Sequence, residues 1–250
     1  MVLPAETLAL VLAASFGSAI LGGVGGFGTS IILTAVLVPV IGVKEVVPVL
    51  SLAGVLINAG RFWFYRRHLE PKVLRHVLLT AVPCLFAGTW LYAALDPRPL
   101  GVVIAAMILA SVPLRRWLKA RSIAIGARGL LVGGAVFGAT TGFASGMGVI
   151  MVSLLMGAGL GGPAVLATDA MVSIVTDVVR ALLFGRYQLL DIAGAALGVA
   201  IGLATLPGSW LASLLVHRLH ARLHAWVMEA LIVAGGLMVL WNSLQLPKGA

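Results

Sequence analysis

The chain has 250 residues, of which 61% are hydrophobic and only 10% are charged, and its mean hydropathy is +1.12. Soluble domains carry about 25% charged residues, so this composition excludes a soluble protein and indicates an integral membrane protein over the whole length. The formal charge of +9 comes from basic residues in short loops between apolar segments. This is typical of a topology signal with anionic-lipid contact, and not of nucleic-acid binding.

Ten apolar segments follow one another along the chain. They are predicted near 5–23, 27–41, 44–66, 72–95 and 98–114 in the first half and near 128–143, 147–158, 163–185, 189–216 and 221–243 in the second. The first is interpreted as a membrane helix and not as a signal peptide, because the residues before its apolar run include Glu6 and no Lys or Arg. A full crossing needs about 20 apolar residues, so the short segments 27–41 and 147–158 are predicted to be half-helices or re-entrant.

Two glycine-rich breaks precede these two short segments. The first, residues 22–28, holds five glycines in seven residues, and residues 142–148 repeat it more weakly. Glycine in a helix interior costs roughly 1 kcal/mol relative to alanine, so helices are expected to end here. Broken backbone at membrane depth is tolerated only where protein or a water-filled cavity satisfies it. Paired breaks in two halves are the pattern that marks a transporter's binding site.

The two halves form an internal repeat. Gly28 matches Gly148 at an offset of 120, while Asn58 matches Asp177 and Arg61 matches Arg180 at an offset of 119. Five segments per half is an odd number, which predicts that the second half is inverted in the membrane. The predicted fold is therefore an all-α polytopic membrane protein with two inverted repeats of about five segments and Gly-broken or re-entrant helices. The predicted units are a first repeat at 1–116, a basic cytoplasmic linker at 117–127 and a second repeat at 128–250.

Basic residues predict which side of the membrane the loops face. Residues 61–76 and 115–128 each carry five Lys or Arg, and two segments separate these regions, so both lie on one side. The positive-inside rule makes that side cytoplasmic. An inverted second half also places the loop at 216–224, with Arg218 and Arg222, in the cytoplasm. Both termini would then face outward.

Segment 163–185 carries ionisable residues, which are costly within a membrane and indicate function by default. Asp169, Ser173, Asp177 and Arg180 are spaced 4, 4 and 3 residues apart, so they share one helical face that should turn to the bundle interior. Asp177 and Arg180 are interpreted in two ways: as a neutralising pair that locks the interface between the repeats, or as part of the transport machinery.

The glycine pattern G-G-x-G-G-F-G at 22–28, Asn58 in the following helix and the loop Tyr65 to His68 resemble the TauE/SafE sulfite exporter family, also called the toluene-sulfonate uptake permeases. The resemblance covers nearly the whole chain. It implies a multi-pass transporter for sulfite, sulfonates or related organosulfur anions, in either direction. Asp177 departs from the common pattern, which has Asn there, and Asp169 is a further acid in the same segment.

Such a substrate needs hydrogen-bond donors and positive potential. Helix N-termini after the breaks supply free N–H groups, hydroxyl groups add donors, and arginines add charge. The predicted substrate-binding residues are Gly25, Gly26, Phe27, Gly28, Thr29, Ser30, Asn58, Arg61, Ser145, Gly146, Met147, Gly148 and Arg180. Phe27 and Met147 are interpreted either as an apolar plug or as ordinary packing. Asp177, favoured because it lies nearer mid-segment, or Asp169 is predicted to exchange a proton and couple transport to the proton gradient.

The favoured function is a secondary transporter, ion- or proton-coupled, in the cell (inner) membrane. The alternative is a membrane-embedded enzyme acting on a lipid phosphate, which would need acids, histidine or serine with arginine clustered at one membrane face. No catalytic residue, cofactor or metal site is predicted, since the five histidines lie in or near loops. The expected partners are a small organosulfur anion and membrane lipids, with a homodimer left open and no nucleic acid.

Overall fold

A computed structural model describes residues 3–23, 28–120, 124–215 and 221–246. In these ranges the chain forms ten α-helices and one 3-10 turn, and no strand. The first half holds α1 (Ala5–Gly23), α2 (Thr29–Ile41), α3 (Val43–Tyr65), the turn Arg66–His68, α4 (Pro71–Ala94) and α5 (Pro97–Ala120). The second half holds α6 (Ala127–Phe143), α7 (Gly148–Gly157), α8 (Gly162–Arg186), α9 (Ile192–Leu215) and α10 (Ala221–Gln245).

The structure is an all-α multi-pass membrane protein, as predicted. Five helices are long and apolar enough to cross a membrane, over Ala5–Gly22, Val43–His68, Pro71–Ala94, Pro97–Leu114 and Ile192–Ala212. Helix α8 is as long as these, with 25 residues, but it carries the ionisable residues named above. Helix α5 continues to Ala120, four residues into the range predicted as linker.

Several helix starts follow from local chemistry. Pro71, Pro97 and Pro163 stand in the first turns of α4, α5 and α8, where the missing N–H costs nothing. At the start of α9, the carboxylate of Asp191 accepts a hydrogen bond from the backbone N–H of Gly194 at 2.7 Å. This bond caps the helix and lowers the pKa of the exposed Asp191 carboxyl.

The two short helices are buried in protein and are too short to cross the membrane. Helix α2 has 13 residues and α7 has 10, which correspond to about 20 Å and 15 Å at 1.5 Å per residue. The hydrocarbon core measures about 30 Å. Ile31 and Leu37 of α2 and Met151 and Leu155 of α7 have no exposed surface. Protein therefore surrounds these faces of the two short helices.

The helices of one half pack mainly on those of the other. Helix α1 packs on α9 as α6 packs on α4, α3 packs on α8, and α5 packs on α10. Between α4 and α6 the approach is closest at glycines: a methyl group at Gly138 would overlap the carbonyl oxygen of Ala81, and one at Gly134 would lie 2.6 Å from that of Val77. Small residues allow such contacts between membrane helices.

Equivalent helices of the two halves run antiparallel. Along α3 and α8, Gly54 lies against Asp177 whereas Arg61 pairs with Asp169. Along α5 and α10, Gly101 lies against Ser243 whereas Arg116 pairs with Glu229. An inverted repeat requires this relationship of its central helices. The inversion of the whole second half stays a prediction.

Candidate functional site

A polar seam runs between α3 and α8 at the centre of the molecule. The α8 side of this seam consists of Asp169, Asp177 and Arg180, whose exposed fractions are 1%, 6% and 2%. Their spacing puts them on one face of α8, and this face turns inward as predicted. On the α3 side, Asn58 and Arg61 are half-buried. Ionisable groups at this depth need partners, and the seam supplies them.

At one end of the seam, Arg180 of α8 donates hydrogen bonds to two helices, its own and α6. Its Nη2 donates to Asp177 Oδ1 at 2.7 Å, and its Nη1 donates to the carbonyl oxygen of Thr141, at the end of α6, also at 2.7 Å. The other oxygen of Asp177 accepts a hydrogen bond of 3.4 Å from Asn58 Nδ2, which also donates to the carbonyl oxygen of Gly54. The predicted Asp177–Arg180 pair therefore exists, and the position equivalent to Asp177 in the first half hydrogen-bonds to it.

The other end of the seam, nearer the 3-10 turn, contains a second ion pair. Arg61 donates through Nη2 to Asp169 Oδ2, which joins α3 to α8. Next to it, the hydroxyl oxygen of Thr168 accepts a hydrogen bond from the backbone N–H of Glu70 at 3.3 Å. Asp169 lies eight residues before Asp177, about 12 Å along the helix axis. The two arginines therefore bind their carboxylates at different levels of the seam.

Buried hydrogen-bonding groups without a protein partner gather where α6 ends. Thr141 Oγ1, Ser145 Oγ and Arg180 Nε are buried and form no hydrogen bond in the described part of the chain. Thr141 is joined to Arg180 through its carbonyl oxygen, and Ser145 lies in the break that follows α6. Helix α7 then begins at Gly148 without a side-chain cap. Its first N–H groups carry the positive end of the helix dipole.

The second break packs against the start of α2. Gly146 has a φ of +90°, and a methyl group there would overlap Cγ1 of Ile31, in the first turn of α2. Glycine alone adopts such a backbone conformation readily. The start of α2 thus lies against the second break.

A cavity of about 160 Å³ lies beside the second break, between α5, α6 and α7. Its wall includes Met107, Ser111, Thr140, Gly146 and Met147. The two hydroxyl groups in the wall already donate to backbone carbonyl oxygens of their own helices, Ser111 to Ile108 and Thr140 to Val136 and Phe137. The wall of the cavity therefore offers an anion no free hydroxyl group, and we do not place the anion site there.

Only some of the predicted residues of the first break are among the described residues. Gly25, Gly26 and Phe27 fall outside the described residues. Gly28, with a φ of 121°, directly precedes α2. Thr29 donates a weak hydrogen bond of 3.4 Å to the carbonyl oxygen of Ser18, and the carbonyl oxygen of Ser30 accepts one from Thr34.

The family model described as "Sulfite exporter TauE/SafE" matches residues 10–239. This range includes both breaks, the whole polar seam and all but the ends of the chain. The chain belongs to the TauE/SafE sulfite exporter family. No curated protein and no solved structure matches it.

Membership of the TauE/SafE family gives the general function. The family consists of membrane transporters of sulfite-like anions and not of enzymes, so the lipid-phosphate enzyme considered above is set aside. The protein is a multi-pass transporter, for which the cell membrane is the usual location.

Two contacts of the polar seam could not be predicted from the sequence. The Arg61–Asp169 pair joins residues 108 positions apart, and helical spacing predicts only contacts within one helix. The contact of Arg180 with Thr141 uses a backbone carbonyl oxygen, which leaves no side-chain pattern. The sequence carries one sign of Thr141: it stands beside Thr140 in the last turn before the second break.

Proposed function

We propose that the protein is a proton-coupled secondary carrier of small organosulfur anions such as sulfite or sulfonates, which bind at the second break. The observation that carries this proposal is the set of buried donors without an acceptor among the described residues: Thr141 Oγ1, Ser145 Oγ and Arg180 Nε. A buried donor without a partner costs about 1–3 kcal/mol, so a ligand that supplies acceptors stabilises this region.

The ligand is an anion by this reasoning. An arginine N–H can only donate and a hydroxyl donates readily, so the set favours a ligand rich in acceptor oxygens. The uncapped start of α7 adds further N–H groups and a positive partial charge. A sulfite or sulfonate group presents three oxygens in a small volume and matches such donors. The organosulfur identity itself rests on the family.

Charge balance in the seam supports coupling to protons. Its two arginines, Arg61 and Arg180, are matched by two carboxylates, Asp169 and Asp177. The empty site is thus neutral, and an added monoanion leaves one uncompensated negative charge in a medium that disfavours it. One proton on a seam carboxylate restores neutrality. Substrate and proton would then cross together.

The first test is a thermal-shift screen of the detergent-solubilised protein against sulfite, thiosulfate, taurine, sulfoacetate, sulfate and phosphate. A ligand of the folded state stabilises it by RT ln(1 + [L]/Kd). We expect selective stabilisation by an organosulfur anion. Stabilisation by phosphate alone, or by none of the six, would contradict the proposed substrate class. Accumulation of the stabilising anion in proteoliposomes under an inward proton gradient then tests the coupling.

A further inference from the structure

We infer that the two ion pairs of the seam have different tasks: Asp169, through its contact with Arg61, exchanges the coupling proton, whereas Asp177 only positions Arg180. This assignment rests on the proposed function and reverses the preference drawn from mid-segment position alone. It also makes the Arg61–Asp169 pair a gate between the two halves of the chain.

The Asp177–Arg180 pair is built to stay closed. Both residues lie on α8, three positions apart, so a movement of α3 against α8 does not separate them. Both oxygens of Asp177 are in use, by Arg180 and by Asn58. Removing one partner of such a buried pair is strongly destabilising. Asp177 is therefore a positioning residue that aims Arg180 at the break.

The Arg61–Asp169 pair is built to open. It bridges α3 and α8, so a separation of these helices at this level breaks it. Only 2% of the Asp169 side chain is exposed but 20% of the Arg61 side chain is, so Arg61 is the partner that an entering anion can reach. Asp169 Oδ1 forms no hydrogen bond within the described residues, so a single contact holds this carboxylate.

The exchange balances in atoms and charge. An anion on its way to the second break takes the place of Asp169 on Arg61, and a proton from the aqueous phase binds the released carboxylate. The ion pair becomes a neutral acid beside an anion–guanidinium pair, with no net charge added. One proton moves per monoanion, so a gradient of one pH unit supports accumulation of about tenfold.

The charged surroundings of Asp169 are mostly basic. Among the elements packed on α8, the end of α3 carries Arg61 and Tyr65, the 3-10 turn carries Arg66, Arg67 and His68, and the start of α4 carries Glu70, Lys72, Arg75 and His76. Asp177 and Arg180 lie on α8 itself. This end of the seam is the one predicted to face the cytoplasm. The gate would accordingly govern exchange with the cytoplasmic side.

Transport by two matched variants tests the division of tasks. In proteoliposomes with sulfite as probe, Asp169→Asn should lose accumulation driven by the pH gradient while exchange of labelled for unlabelled sulfite continues without dependence on pH. Asp177→Asn should weaken sulfite binding and lower the unfolding temperature. Gradient-driven accumulation by Asp169→Asn at the wild-type level would overturn the inference.

A second measurement does not require that sulfite be the substrate. Infrared difference spectra of the purified protein across a pH titration should show the band of a protonated carboxyl group. We expect Asp169→Asn to remove this band and Asp177→Asn to keep it; the opposite result, or no band in the wild type, would overturn the inference. If the wild type exchanges no sulfite, the proposed substrate fails and the spectra still decide which carboxyl group takes up the proton.

Discussion

Gly54 on α3 lies directly against the carboxylate of Asp177 on α8: a methyl group at position 54 would overlap Oδ2 and lie 2.9 Å from Cγ. The absence of a side chain at Gly54 is thus what leaves room for Asp177 between Asn58 and Arg180. A glycine of α3 thereby sets the position of an arginine on α8.

Gly54→Ala should displace Asp177 without removing its charge. Overpacking of this kind costs about 1–3 kcal/mol, and Arg180 loses its fixed orientation. We expect a lower unfolding temperature and weaker anion binding, measured by thermal shift with and without ligand. The matched control is Gly185→Ala on α8, where an added methyl group meets nothing within 4 Å. Equal unfolding temperatures and equal anion binding in the two variants would show that the Gly54–Asp177 contact does not contribute to function.

Arg180→Met should lower the unfolding temperature far more than removal of the whole ion pair does. The single change leaves Asp177 buried without its counter-ion, for which about 3–5 kcal/mol is typical. The double variant Asp177→Leu/Arg180→Met removes both charges, and such replacements are often neutral or stabilising. We expect the double variant to unfold at a higher temperature than the single variant while binding no anion. A double variant that still binds the anion would remove Arg180 from the site.

Thr141→Val and Ser145→Ala should separate function from stability. Neither hydroxyl forms a hydrogen bond within the part of the chain that the structure describes, so its removal breaks none there. The Thr141 carbonyl oxygen that holds Arg180 remains. A hydrogen bond to a charged group contributes about 1.5–3 kcal/mol. Anion affinity should therefore fall about 10- to 100-fold with little change in the unfolding temperature of the ligand-free protein.

The control for these two variants is Thr140→Val. Thr140 is the chain neighbour of Thr141, but its hydroxyl group bonds to its own helix and it lines the apolar cavity. Its replacement should leave anion affinity, measured by titration calorimetry, unchanged. A loss as large as that of Thr141→Val would place the anion in the cavity instead.

Local pattern predicted the helices and the inward face of α8 well. The segment predicted at 44–66 is α3 (Val43–Tyr65), and the segment at 147–158 is α7 (Gly148–Gly157). Runs of apolar residues and glycine breaks determine such boundaries within a few positions. The same helical spacing predicted the Asp177–Arg180 contact, because both residues lie on one helix.

Contacts between helices were beyond this kind of prediction. Whether Arg61 meets Asp169 or Asp177 depends on the register between α3 and α8, which the packing of Gly54 and its neighbours determines. The spacing of residues within one helix gives no information on that register. The paired breaks placed the start of α2 and Gly146 in one predicted site, but for the same reason nothing in the sequence predicted their direct contact.

Gly146→Ala should disrupt the contact between the second break and α2 in two separable ways. The added methyl group would overlap Ile31, and the φ of +90° is strained for alanine, at about 1–2 kcal/mol. Gly159→Ala isolates the second effect, since its φ is +86° and nothing lies within 4 Å. We expect both variants to lower the unfolding temperature and only Gly146→Ala to weaken anion binding. Adding Ile31→Ala should partly restore anion binding to the Gly146→Ala variant, because it relieves the overlap but not the backbone strain. If the double variant binds the anion no more tightly than Gly146→Ala, strain alone accounts for the loss of binding.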